Sequence, residues 1–300
     1  MARHPHRLLF LLVALTVSVA ATAHLAASLG CGHDHDFAGS SRNFSIQSGG
    51  RTRQYRLHLP SAYDKYKPAP LLLAFHGAGD NPVNFEQKTH FSDEHVNRGM
   101  IIVYPAGFKK HWEGPKYATP GVDDKTFISD LIGHLLDSYC VDVSRIYATG
   151  HSNGGGFVNS LACSPDHGRY FAAVAPVSGA FYTDDTACRP HRLPLPVMEI
   201  HGTADRTIPY TGGEGRGGTL PSIAEWLERW ARRDGCNTLP VEVGLSSSRV
   251  HVLRWTNCHG RDDVLRHVRL DGATHKWPGK DSAFDASPAI VEFLLAHRKV

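Results

Sequence analysis

From Leu71 to the end of the chain, short unbroken apolar runs alternate with segments of helical period. Leu71–Phe75, Met100–Tyr104, Phe171–Pro176 and Val197–Ile200 are apolar at nearly every position, the pattern of strands covered on both faces. Asp123–Tyr139 instead repeats Phe127, Ile128, Leu131, Ile132, Leu135 and Leu136 at helical spacing. Asn153–Ala162, Ile223–Arg233 and Pro288–His297 also read as helices. Arg53–Leu59, Arg145–Thr149, Val250–Trp255 and Val264–Leu270 add strands. This alternation predicts an α/β architecture, a mainly parallel sheet with helices on both faces. Ligands of such sheets sit at the carboxyl ends of the strands, so the chemistry is sought in the residues that follow them.

The amino terminus reads as a targeting segment. Arg3 and Arg7 precede the apolar run Leu8–Val19, and Ala21-Thr22-Ala23 offers a small-x-small cleavage site. Residues 1–23 are therefore expected to be a signal peptide of a secreted protein, the run being too short to span a bilayer. Residues 24–300 are expected to form one catalytic domain, with 24–40 a loosely held arm. The formal net charge is +3. Loss of the leader removes two arginines and no acid, leaving +1. A near-neutral chain without a basic cluster has no footprint for nucleic acid, and no later segment is apolar enough for a membrane.

All six cysteines, Cys31, Cys140, Cys163, Cys188, Cys236 and Cys258, follow the leader. An even count in an exported chain predicts disulfides. Closeness in sequence favours Cys163–Cys188 and Cys236–Cys258, which leaves Cys31–Cys140. No C-x-x-C occurs, which argues against a zinc site. His33-Asp34-His35-Asp36 resembles a metal-binding tract, but nothing in the sequence fixes its geometry, and a solvated tail is the plainer reading. Asn43-Phe44-Ser45 is a glycosylation sequon.

Gly150-His151-Ser152-Asn153-Gly154 matches the G-x-S-x-G nucleophile elbow and lies between a strand and a helix, the context that the α/β-hydrolase fold requires. That fold orders its triad as Ser, acid, His. Asp205 follows the strand Val197–Ile200 directly and is the expected acid, ahead of Asp184, Asp185, Asp262, Asp263 and Asp271. His275 lies between the last strand and the final helix and is the expected base, ahead of His259 and His267. His76-Gly77-Ala78-Gly79 follows Leu71–Phe75. The N–H of Ala78, or alternatively of Gly79, would form an oxyanion hole with the N–H of Asn153, while His76 reads as a packed loop-holder. The mechanism calls for no metal and no organic cofactor.

Gly150-His-Ser-Asn-Gly-Gly-Gly-Phe157, Leu161-Ala-Cys163, Ala175-Pro-Val-Ser-Gly-Ala-Phe181, His201-Gly-Thr-Ala-Asp205 and His275-Lys-Trp-Pro-Gly279 together resemble the fungal feruloyl esterases. These belong to a carbohydrate-esterase group that also resembles polyhydroxybutyrate depolymerases and acetylxylan esterases. The resemblance spans roughly residues 31–300. It implies Ser152, Asp205 and His275 as the triad, and hydrolysis of ferulate or related hydroxycinnamates from arabinose on plant cell-wall xylan or pectin. An acetylxylan esterase or a polyester depolymerase is the alternative, since a triad reads the ester and not the acyl chain. A wall-binding protein on a retired hydrolase scaffold is disfavoured by the intact triad. No carbohydrate-binding module is visible. A ferulate ring would need aromatic walls, for which Tyr104, Phe108, Trp112, Phe181 and Trp277 are candidates, each equally readable as core.

Overall fold

The computed structural model describes residues 27–184, 187–244 and 248–299. The expected signal peptide lies outside the described residues. Twelve strands are described: β1 (Ser40–Ser48), β2 (Arg51–Leu59), β3 (Ala69–Phe75), β4 (Ile101–Pro105), β5 (Val141–His151), β6 (Ala173–Val177), β7 (Val197–Gly202), β8 (Gly213–Gly215), β9 (Gly218–Leu220), β10 (Val241–Gly244), β11 (Val250–Arg254) and β12 (Leu265–Leu270). Five α-helices accompany them: α1 (Pro82–Thr89), α2 (Asp124–Ser138), α3 (Asn153–Ala162), α4 (Ile223–Arg233) and α5 (Ala286–Leu295).

Ten strands form one sheet in the order β1-β2-β4-β3-β5-β6-β7-β12-β11-β10, and β8–β9 is a separate hairpin. The inner six, from β4 to β12, run parallel. Antiparallel strands close both edges. Side chains alternate between the faces of a strand, so β3 feeds two cores. Leu71, Leu73 and Phe75 pack with residues of α2, α3 and α4, whereas Leu72 and Ala74 pack with residues of α1 and α5. Helices thus cover both faces, as the alternation predicted. Their starts are encoded locally. Asp123 caps α2 through the N–H of Thr126, and Ser222 and Glu225 form a reciprocal capping box on α4.

Residues 27–39 are not a loose arm. Ser28 donates to the Tyr139 carbonyl at 2.5 Å and accepts the Val141 N–H at 2.8 Å. His35 stacks on Tyr139 with ring centroids 4.2 Å apart. Asp34 and Asp36 bind Lys65 and Arg42 rather than converging on a cation. The Cys31–Cys140 disulfide fastens this segment to the start of β5. Cys163–Cys188 and Cys236–Cys258 are also formed, the pairing that sequence separation favoured. Among the described residues no helix is long and apolar enough to cross a membrane.

Candidate active site

The carboxyl ends of β3, β5, β7 and β12 bring the expected residues to one rim. Between β5 and α3, Ser152 adopts φ 57° and ψ −120°, a left-handed conformation that costs a non-glycine residue free energy and is held only by its surroundings. Those surroundings include its own N–H on the Val177 carbonyl at 3.0 Å, and its carbonyl accepting from Ala180 and Gly156 at 2.9 Å each. The sharp turn lifts the serine clear of the sheet. Gly154 lets α3 pass close under β3, as a Cβ there would lie 2.2 Å from the Phe75 carbonyl oxygen.

Asp205 is buried in the turn after β7. Its Oδ1 accepts the N–H groups of Thr207 and Ile208 at 2.8 and 2.9 Å, and its Oδ2 lies 2.7 Å from Nδ1 of His275. Burial would raise its pKa, but hydrogen bonds from His201, His275 and Ile208 outweigh that and hold it below the usual carboxylate range. His275 therefore donates Nδ1–H to a carboxylate, which leaves Nε2 for other chemistry. Its ring lies 4.8 Å from that of His151, the neighbour of Ser152. Burial above all, with His275 beside it, depresses His151 to about 3, so that ring is neutral.

Three rim loops are stitched together beside the serine. The Asn153 side chain accepts the Trp112 N–H at 2.8 Å and donates to the Trp112 carbonyl at 3.2 Å. The Trp112 indole N–H donates to the His76 carbonyl at 2.9 Å. His76 Nε2 accepts the Gly107 N–H at 3.0 Å, and Nδ1 donates to the Gly77 carbonyl. Burial lowers the His76 pKa, in keeping with this neutral, loop-holding ring. The two oxyanion candidates separate here. Gly79 spends its N–H on the Lys110 carbonyl at 2.9 Å, whereas a Cβ at neighbouring Gly77 would sit only 3.4 Å from the Ser152 Cβ. Gly77 is thus the residue of this loop that lies against the serine.

The expected substrate aromatics need correction. Tyr104 is fully buried in β4, with its hydroxyl 3.0 Å from Ser92 Oγ. Phe181 is buried and stacks on Trp226 at 4.1 Å. Trp277 packs edge-on against Phe85 and Phe91 and donates to Ser287. Apolar burial claimed Tyr104 and Phe181 for the core, whereas Trp277, though buried, also lines a cavity with Ala273, Thr274 and Lys276. Another aromatic pair, not singled out in the sequence, is half-buried. Tyr182 lies two residues beyond Ala180, whose N–H binds the Ser152 carbonyl, and its ring meets Tyr117 edge-on at 6.3 Å. Arg216, in the turn of the β8–β9 hairpin, covers Tyr117 at 4.4 Å. Among the rival acids, Asp184 is engaged by Arg229 and Arg233 at 3.1 Å each, Asp263 by Arg266 and Asp271 by Arg269, while Asp185 lies outside the described residues. Cys163, Asp184 and Cys188 lie close together, but both sulfurs are consumed by their disulfide.

This geometry has counterparts among known proteins. A family described as "Putative esterase" matches residues 46–243. The chain is 28% identical over 295 residues to "Probable feruloyl esterase C" of Aspergillus niger, covering 97% of this chain and 99% of that one. It is 30% identical over 268 residues to "Putative esterase NocK" of Nocardia uniformis subsp. tsuyamanensis, covering 81% and 75%. The solved acetyl xylan esterase from Aspergillus awamori superposes with a TM-score of 0.63 over 85% of this chain and 98% of that one, at 14% identity. A feruloyl esterase module from Clostridium thermocellum, complexed with sinapinate, gives 0.58 over 89% and 93%, also at 14% identity. At such identity the two structures speak for the α/β-hydrolase fold alone. With the family match and near full-length relatives beside them, the chain belongs to the esterase family and is a carboxylic ester hydrolase.

Proposed function

We propose that the protein is a secreted feruloyl esterase, which cleaves hydroxycinnamoyl esters of plant cell-wall xylan or pectin through an acyl-enzyme on Ser152. The observation that carries the catalytic part is the 2.7 Å contact between Asp205 and His275, at a rim where His275 also meets the residue before a strained serine. His275 Nε2 takes the Ser152 proton as Oγ attacks the ester carbonyl. The oxyanion gathers the N–H groups of Asn153 and Ala78, the first of them at the amino end of α3 where the helix dipole favours negative charge. Collapse expels the alcohol, which receives the proton from His275. Water then attacks the acyl-enzyme by the same route in reverse, releasing the acid. No step needs a metal or an organic cofactor.

Near full-length likeness to a feruloyl esterase supports the acyl preference. Tyr117 and Tyr182 would supply the aromatic walls that such an acyl group needs. Three disulfides support an oxidising, extracellular setting, reached through the leader at residues 1–23. Asn43, exposed on the edge strand β1, would then be open to glycosylation.

Initial rates on methyl ferulate, acetylated xylan and short polyhydroxybutyrate test the acyl preference. Fast ferulate release is expected, and fast deacetylation without it would make the acetylxylan alternative correct. Fluorophosphonate should label Ser152, and Ser152→Ala should lose turnover by several orders of magnitude while staying folded. Near wild-type activity in that variant would end the assignment.

A further inference from the structure

The ionisable groups of this rim do not stop at Asp205. Val197, Glu199 and His201 alternate along β7 and face the core layer beneath α3 and α4, whereas Met198 and Ile200 face the opposite core. Glu199 and His201 have fully buried side chains. In register across the sheet, β12 places His267 opposite Glu199. The strand therefore carries a row of charge-bearing groups where a buried parallel strand is ordinarily apolar.

Contacts within this row fix its proton positions. His201 Nε2 lies 2.9 Å from the Ile208 carbonyl, a group that only accepts, and 3.5 Å from Asp205 Oδ2. That nitrogen must carry hydrogen. His201 Nδ1 lies 2.9 Å from Glu199 Oε1. On the far side of Glu199, Oε2 lies 2.7 Å from His267 Nδ1, which also lies 3.2 Å from the Glu199 carbonyl. His267 Nε2 then meets the Tyr210 hydroxyl at 2.9 Å.

Two buried carboxylates share this space, and leaving either unbalanced costs several kcal/mol. We propose that His201 is held as an imidazolium between Glu199 and Asp205, and that Glu199 and His201 are positioning residues which keep Asp205 ionised and aimed at His275. The inference rests on the roles proposed above for Asp205 and His275. Burial alone would lower the His201 pKa. The Glu199 charge, with hydrogen bonds to Asp205, Glu199 and Ile208, reverses this and lifts it to about 10. Glu199 is lowered against its own burial by His201 and His267. Glu199 from β7 and Asp205 and Tyr210 from the following segment face the His201 ring. Behind them stand His267 from β12, His275 from the next loop and His151 from β5. Arg269 and Asp271 act on Tyr210 from beyond.

A buried ion pair adds little net stability over apolar packing, so its consequence is sought in catalysis. With Glu199→Gln, the amide can still hydrogen-bond both histidines, but the charge that retains the second His201 proton is gone. His201 becomes neutral, and Asp205 loses the nearest cation that offsets its pull on the His275 proton. The acid limb of kcat/KM, which reports the free enzyme's base, should move up on the order of half a pH unit. Loosened aim should lower kcat on the order of tenfold to a hundredfold with KM little changed.

The experiment is histidine-selective nitrogen-15 NMR of the resting full-length enzyme, with p-nitrophenyl acetate kinetics in parallel. Wild-type His201 should show both ring nitrogens protonated at pH 8, and Glu199→Gln should lose one proton and show the shifted limb. A neutral His201 in the wild type overturns the proposal, even if no variant folds. So does a Glu199→Gln enzyme with unchanged limb and kcat. Should the catalytic reading itself be at fault, the sign would be different: Asp205→Asn would retain activity, whatever the state of His201.

Discussion

Gly154→Ala should separate catalysis from folding at the elbow. Gly154 is helical, so the substitution carries no penalty from backbone conformation. Its Cβ would nevertheless lie 2.2 Å from the Phe75 carbonyl oxygen and 2.6 Å from that of His76, where ordinary contact begins at 3.4 Å. The shortfall is about 1.2 Å, and neither obstacle is a side chain that could rotate away. The end of β3 and the start of α3 must part by about that distance. One side carries the Ala78 loop and the other carries Ser152 and Asn153, so the wedge opens the proposed oxyanion hole. Misplacement by about 1 Å costs on the order of a hundredfold in rate, whereas overpacking costs about 1–3 kcal/mol of stability. That stability loss is a few degrees in Tm for a domain of this size. The assay is kcat on p-nitrophenyl acetate, normalised by fluorophosphonate titration, beside scanning calorimetry. Gly133→Ala is the control: it lies in α2 with nothing within 4 Å of the added Cβ, and should raise stability by about 0.5–1 kcal/mol with kcat unchanged. A Gly154→Ala enzyme with kcat within about threefold of wild type would refute the idea that this close approach sets the catalytic geometry.

Removing Cys31–Cys140 as a double serine variant should cost about 5 kcal/mol, against about 3.5 for Cys163–Cys188, because they close loops with sequence separations of 109 and 25; equal losses in thermal melts would contradict that ranking. Asp234 is buried, and despite the Leu195 N–H and two arginines nearby its carboxyl is pushed up to about 7. Since the folded state holds this proton more tightly than the unfolded chain, its contribution to stability is full below pH 3.8 and is lost as pH rises through about 7. Asp234→Asn should flatten the fall in Tm across that window, and an unaltered slope would remove Asp234 as its source. Tyr182→Ala should raise KM for methyl ferulate severalfold and leave p-nitrophenyl acetate turnover near wild type; an equal effect on both esters would exclude Tyr182 from the acyl wall.

The inner sheet was legible because burial leaves a compositional trace. Leu71–Phe75 and Met100–Tyr104 lie within a residue or two of the observed β3 and β4. At the edges that trace fades. Ser40–Ser48 is mostly exposed and polar, with only Phe44 and Ile46 leaning on the core, so β1 carries no apolar signature. Val241–Gly244 is exposed at all four positions, and β10 exists because β11 supplies its hydrogen bonds. The same physics misled the aromatic reading. A loop position beside a strand end says nothing about which way a ring turns, and Phe181 turned inward onto Trp226.

The row beneath Asp205 had a signal of its own. Val197-Met-Glu-Ile-His-Gly202 reads as a buried strand, yet carries two ionisable residues at i and i+2, which places them on one face. A strand covered on both faces does not bury Glu and His without partners, because each would face a desolvation cost of several kcal/mol. The partners had to be supplied by adjacent strands or by the turn that follows. His267 lies at the same level of β12, and Asp205 four residues beyond His201 closes the other end. Functional groups of such sheets gather just after the strands, whereas this charge lies inside one. Coupling the two makes the orientation of His275 a property of β7 as a whole, and it explains how a loop histidine can be aimed from the floor of the sheet.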